Sequence, residues 1–162
     1  MSPNAPENLP DHANVIATPP FIYGAAVLIG LALHKWILPW PLPLAEHLQH
    51  YAGWAVMAPG LLLMFWAMRS FARADTAIIP HHSTTRIVPT GPYRFSRNPM
   101  YISMALVQVG FALMFATAWI LLWLLPAILV IRYGVIAREE RYLERKFGAS
   151  YLDYKKRVRR WL

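Results

Sequence analysis

Gly91-Pro-Tyr-Arg-Phe-Ser-Arg-Asn-Pro-Met-Tyr101 is the stretch on which the reading of this chain turns. It sets turn formers, two arginines, an asparagine and three aromatic residues into eleven positions, and an apolar run opens at Ile102. Hydrocarbon does not tolerate irregular backbone unless protein buries it or it lines a cavity, because its N–H and C=O groups lack helical partners. A polar, proline-punctuated segment at the mouth of an apolar helix is therefore a place where a ligand site can be built beside a membrane.

The rest of the chain supplies the membrane. Of its 162 residues 57% are hydrophobic, against about 45–50% in ordinary soluble domains. Apolar runs at 21–40, 51–68, 100–116 and 118–137 are each near the length needed to cross hydrocarbon roughly 30 Å thick. The fold class expected is an all-α integral membrane protein of about four transmembrane helices, the last two a tight hairpin, followed by a cytoplasmic amphipathic helical tail at 138–162. Residues 1–20 read as a disordered N-terminal arm without the basic region of a signal peptide, and 21–162 as a single membrane domain. Pro59 and Pro126 are expected to bend the second and fourth spans.

Charge sets the topology. Of the 16 Lys and Arg, five lie between Arg69 and Arg97 and nine between Arg138 and Arg160. Basic segments flanking apolar runs follow the positive-inside rule, so the 69–99 loop, the tail and both termini are expected in the cytoplasm. The membrane expected is a bacterial inner membrane or an equivalent one. No nucleic-acid partner is needed to explain the charge. The absence of cysteine excludes disulfides, iron–sulfur clusters, thiolate zinc sites and thiol nucleophiles. His81-His82 lacks convergent ligands at useful spacing, so no metal is expected.

A helical hairpin returns to the side it left, which places 91–101 beside 138–154 although some forty residues separate them. Together they offer Glu139 and Glu140, the arginines Arg94, Arg97 and Arg138, the Asn98 amide and the rings of Tyr93, Phe95, Tyr101 and Tyr142. The glutamates either pair with basic residues one turn away or hold a cationic ligand. A ligand with an ammonium, a sulfonium and a carboxylate would use carboxylates, aromatic faces and an arginine respectively, and S-adenosylmethionine carries those groups. Arg132 lies seven residues before Glu139, near the same helix face if the helix is regular, so it either snorkels to the cytoplasmic surface or lines the pocket, the pocket being favoured because intramembrane charges face a bundle interior. In the tail, Gly148 is positioned to end one helix and Ser150 with Asp153 to start another, its basic end lying on the membrane surface.

The order of these motifs, the 91–101 segment, a hairpin, Arg-Glu-Glu at 138–140 and Phe147-Gly-Ala-Ser-Tyr151-Leu-Asp-Tyr154, resembles the isoprenylcysteine carboxyl methyltransferase family and its phospholipid methyltransferase relatives. Arg97, Pro99 and Tyr101 match an Arg-His-Pro-x-x-Tyr type signature, and Glu139 and Glu140 match a glutamate pair. Asn98 stands where eukaryotic members have histidine. The resemblance implies an integral-membrane methyltransferase that binds S-adenosylmethionine between the last hairpin and the tail, and takes a lipid-like or small hydrophobic acceptor from the bilayer. The candidate cofactor-binding residues are Tyr93, Arg97, Asn98, Pro99, Tyr101, Arg138, Glu139 and Glu140, with Arg94 and Arg97 as candidate catalytic residues that orient an anionic acceptor or, equally, bind lipid phosphates. An NADPH-dependent membrane reductase of the sterol reductase type and a non-catalytic membrane assembly protein are the competing readings.

Overall fold

The computed structural model describes residues 12–74 and 85–162, all but two isolated bridges of whose regular structure is helical. Helices α1 (Pro19–Trp36) and α2 (Glu46–Ala72) precede a 3-10 turn at Gly91–Arg94. Helix α3 (Pro99–Met114) then leads to α4 (Ala118–Val130), which runs through a π-helical segment (Ile131–Ile136) into α5 (Ala137–Phe147) and is followed by α6 (Ala149–Arg157).

Local chemistry sets these boundaries. Prolines occupy the first turns of α1 and α3, where an N–H has no helical partner to lose. The α3–α4 turn closes at Ala116, held at φ 45°, and the Thr117 side chain caps α4 by accepting the Trp119 N–H at 3.3 Å. Gly148, at φ 51°, ends α5 as its position predicts. The Ser150 cap is not formed: α6 starts at Ala149 with Gly148 in the capping position and no side-chain cap bond.

The second helix extends beyond its apolar run at both ends, and Pro59 lies inside it without terminating it. Residues 46–50, which precede that apolar run and are mostly polar, are its first turns. A helix needs no apolar residue to continue beyond its apolar run, so hydropathy underestimates its length. The same holds beyond 137, where the fourth span and the first part of the tail form one continuous helix, Ala118–Phe147. That helix and α2 are long and apolar enough to cross a membrane, and α3 is a shorter apolar helix. Phe21, Leu28, Leu62, Phe65 and Leu125 are each more than half exposed, an outward apolar surface suited to lipid.

Helix α2 packs along α3, and α1 against α4. Between α2 and α3 the backbones come close at glycines. A Cβ added to Gly110 would lie 2.6 Å from Met57 Cβ and 3.0 Å from the Gly53 carbonyl oxygen. Small residues serve this purpose in lipid, where dispersion and close backbone approach replace the hydrophobic effect between helices. Gly110→Ala is expected to destabilise the protein by about 1–3 kcal/mol, read as a lower thermal midpoint in detergent. Gly24→Ala is the control, because nothing lies within 4 Å of its added Cβ, and it should be neutral or slightly stabilising.

At the end remote from the tail, the α1–α2 connection closes over the α3–α4 turn. The Trp119 indole N–H donates to the Leu38 carbonyl at 2.7 Å, its ring meets Trp40 edge-on at 5.5 Å, and the Leu42 N–H donates to the Ala116 carbonyl at 2.7 Å.

The expectation of a disordered arm is corrected for residues 12–18, while 1–11 lie outside the described residues. Ala13 and Val15 are buried in the main core with Tyr23, Ile131 and Val135. The Ile16 side chain packs on Gly134. Ala13 and Val15 flank the exposed Asn14, and the Ile16 N–H donates to the Gly134 carbonyl at 3.4 Å, which docks this short non-helical segment on the π-helical surface.

Candidate active site

The loop that precedes α3 is fastened from two sides. Gly91 has φ 60°, and a Cβ there would collide with the Ser70 hydroxyl of α2, so the turn sits directly on that helix. Tyr93 is buried with its ring edge-on to Phe71 at 5.0 Å. From the other side, the Tyr154 hydroxyl donates to the Tyr93 carbonyl at 2.7 Å. Tyr151, Tyr154 and Val158 are all buried, so the apolar face of α6 covers this loop rather than lying free on a lipid surface.

Beyond α6 the chain runs beside residues 96–98. The Arg97 N–H donates to the Arg159 carbonyl at 2.9 Å. The Ser96 hydroxyl and the Asn98 amide donate to the Arg160 carbonyl at 3.3 and 2.9 Å.

The Arg97 side chain explains why α6 ends where it does. Its Nη1 donates to the carbonyls of Lys155 and Val158 at 3.0 and 2.7 Å, groups at the end of α6 that lack helical partners. A guanidinium also complements the negative end of the helix dipole. Arg97 is thus a C-terminal cap delivered from a distant loop. Its Nη2 donates to Glu140 Oε1 at 2.7 Å, and Glu140 takes two further bonds from Arg160, 3.1 Å from Nε and 2.6 Å from Nη2. Burial on its own would raise the Glu140 carboxyl, but the hydrogen bonds and charges of Arg160 and Arg97 prevail and hold it below the usual value. Glu140 is an anion with its acceptor capacity committed to two arginines.

Glu139 is different. Its bonds come from the Tyr101 hydroxyl, which lies 2.8 and 2.9 Å from the two carboxylate oxygens. Burial pushes the carboxyl up, the Tyr101 bond offsets part of that, the neighbouring Glu140 charge adds to it, and the result is about 7. It lies beyond the apolar stretch of its helix, on a different face from Glu140, since successive helical residues are about 100° apart.

Tyr93, Arg97, Asn98, Tyr101, Glu139 and Glu140 line one cavity of about 130 Å³. Tyr142, Tyr151 and Tyr154 complete an aromatic wall. Burial pushes the hydroxyls of Tyr93 and Tyr151 up and that of Tyr154 to about 12, so these rings are neutral at physiological pH and are not bases.

The remaining expected site residues lie elsewhere. Pro99 is buried at the first position of α3. Arg94 is exposed, with its guanidinium carbon 5.5 Å from the centre of the Phe95 ring, outside the cavity lining. Arg138 donates to the Asn14 carbonyl at 2.8 Å and lines a separate cleft. Arg132 is also away from the cavity, exposed and 5.4 Å over the Tyr133 ring. The π-helical segment between Arg132 and Glu139 advances less per residue than an α-helix, which breaks the seven-residue register. His81 and His82 lie outside the described residues, among which no group of three or more potential metal ligands converges.

Two contributors escaped the sequence reading. Arg86 reaches the cavity rim from the end of the long loop with an exposed side chain, and no spacing signal ties it to the motif. Arg160 was legible only as one of a run of basic residues.

A sequence profile of the phospholipid methyltransferase family matches residues 48–150, well over half of the chain and including the candidate site from the 3-10 turn to the glutamate pair. The chain belongs to the phospholipid methyltransferase family. The matched region of this family member runs from the start of α2 to the start of α6. An uncharacterized protein of Haemophilus influenzae is 46% identical over 63 residues, covering 39% of this chain and all of that protein. No solved structure matches the chain.

Proposed function

We propose that this family member is an S-adenosylmethionine-dependent methyltransferase of the membrane that acts on a lipidic or small membrane-partitioning acceptor. The observation that carries this reading is the division of labour within the glutamate pair. Glu140 is saturated by arginines, whereas Glu139 presents to a tyrosine-walled cavity a carboxylate bonded to a single hydroxyl.

The donor set fits the cofactor. A carboxylate suits an ammonium, neutral aromatic faces suit a sulfonium, and Arg86 at the rim is the guanidinium placed to meet a carboxylate. A cavity of about 130 Å³ is smaller than the roughly 300–1,000 Å³ that encloses a drug-sized ligand, so it matches the amino-acid end of the cofactor. S-adenosylmethionine supplies an electrophilic methyl group on sulfur. The protein contributes alignment and exclusion of water, which for well-oriented reactants is worth about 7–11 kcal/mol of barrier. Arg97, assigned from the motif to orient an acceptor, has its terminal nitrogens committed to α6 and Glu140, so its part is to hold the site together.

A lipidic acceptor is supported by the neighbouring groove. The Tyr23 hydroxyl donates to the Tyr101 carbonyl at 3.2 Å, and Tyr23 also lines an apolar groove of about 350 Å³ with Leu106, Ile128 and Trp161. In this reading α1 to α4 cross the membrane with both termini in the cytoplasm, because the basic loop and tail share the end that carries the site.

The test is calorimetry on detergent-purified protein with S-adenosylmethionine, its demethylated product and NADPH. Saturable binding of the first two, with NADPH silent, is expected. Binding of NADPH alone would replace this reading with a reductase, and a folded protein that binds none of them would end the catalytic reading.

A further inference from the structure

The face of α5 opposite the active site carries a second charged feature. Arg138, Arg141 and Arg145 recur at three- and four-residue spacing, which stacks them on one side of the helix. With Asn14 of the docked N-terminal segment they line a cleft of about 540 Å³. Arg141 and Arg145 are exposed, and neither has a carboxylate partner among the described residues. The acid in the cleft, Glu144, is taken by Lys155, whose Nζ lies 2.6 Å from Oε1. Arg138 donates one N–H to the Asn14 carbonyl.

Position narrows the ligand. Arg138 follows directly on the apolar stretch that ends near Ala137, and Arg141 and Arg145 rise above it by one and two turns, a span of about 10 Å. Ile16, next to the cleft-lining segment, packs on Gly134 yet remains 54% exposed, which puts an apolar contact directly below the arginines. Guanidinium forks match phosphate oxygens in pairs. A free anion would make no use of the apolar step, whereas a lipid places phosphate and acyl chain at those two heights.

We propose that Arg138, Arg141 and Arg145 form a binding site for the phosphate of an anionic phospholipid headgroup, on the opposite side of α5 from Glu139. The site rests on the membrane placement proposed above and is independent of methyl transfer. Its occupancy holds α5 at a set height in the bilayer, and with it the carboxylate on the other face.

The experiment is native mass spectrometry of the full chain in neutral detergent, titrated with phosphatidylglycerol, phosphatidylcholine or inorganic phosphate. Preferential retention of phosphatidylglycerol is expected. Each basic residue near an anionic surface is worth about fivefold (about 1 kcal/mol), so Arg141→Gln with Arg145→Gln should lower that retention by about 25-fold. Lys156→Gln with Arg157→Gln, an equal change of charge on α6, should leave it nearly unchanged. Equal retention of the two lipids, or equal loss in both double variants, would overturn the site in favour of general surface charge. Displacement of the lipid by millimolar phosphate would reassign it to a free anion. Loss of S-adenosylmethionine binding with lipid retention intact would instead count against the methyltransferase reading alone.

Discussion

Glu140→Ala is expected to destabilise the protein by about 3–5 kcal/mol, the range for removing one partner of a buried ion pair. The reason is the arginine left behind. The Arg97 side chain is 8% exposed and cannot turn to solvent without releasing the carbonyls at the end of α6. Arg160, at 31% exposure, can swing outward. A ranking follows in which Arg97→Ala and Glu140→Ala are both severe and Arg160→Ala is milder. Arg97→Ala should in addition expose 158–162 to proteolysis, because it removes the cap that ties the tail to the loop. The check is a thermal midpoint in detergent together with limited proteolysis. An Arg160→Ala loss as large as that of Arg97→Ala would show that the triad does not work through burial.

Glu139→Gln is expected to leave the fold intact and to weaken S-adenosylmethionine binding by about 10- to 100-fold, since a hydrogen bond to a charged group is worth about 1.5–3 kcal/mol. The pH dependence separates this role from a structural one. With the carboxyl pushed up to about 7, the empty site is protonated below that pH and charged above it. A cationic ligand binds the charged form, so affinity should climb as pH rises towards 7, flatten above it, and be accompanied by proton release at pH 6. Stability of the empty protein runs the other way. A raised folded-state value means that the fold holds this proton more tightly than the unfolded chain does, so the contribution is full below the ordinary value of 4.5 and is lost as pH rises through about 7. Glu139→Gln should flatten both profiles. Tyr101→Phe, which removes the bond that lowers the Glu139 value, should shift the binding midpoint upward. Calorimetry in buffers of different ionisation enthalpy checks the first profile and thermal midpoints the second. A wild-type binding profile unchanged between pH 5.5 and 8 would sink the assignment.

These two variants differ by one position in sequence and are predicted to fail in different ways. Adjacent helical residues point about 100° apart, so one glutamate turns to the arginines and the other to the cavity. Spacing shows that the two must face different neighbours, and it does not show which neighbours stand there.

What the sequence by itself determined is the all-helical, apolar class, the hairpin and the meeting of 91–101 with 138–154. Each follows from short-range rules: apolar length, the position of prolines and glycines, and the fact that a hairpin returns to its starting side. Only the tertiary structure decided the roles within that meeting. Arg94, Arg97 and Arg138 are equivalent as letters, yet one lies over Phe95, one caps α6, and one reaches the Asn14 carbonyl. The Arg132 register failed because it assumed a regular α-helix across a segment that winds as a π-helix. Long arginine side chains take their partners from whatever packs against them, and packing is a property of the whole chain: Arg97 meets carbonyls some sixty positions away, a distance over which no local pattern carries information.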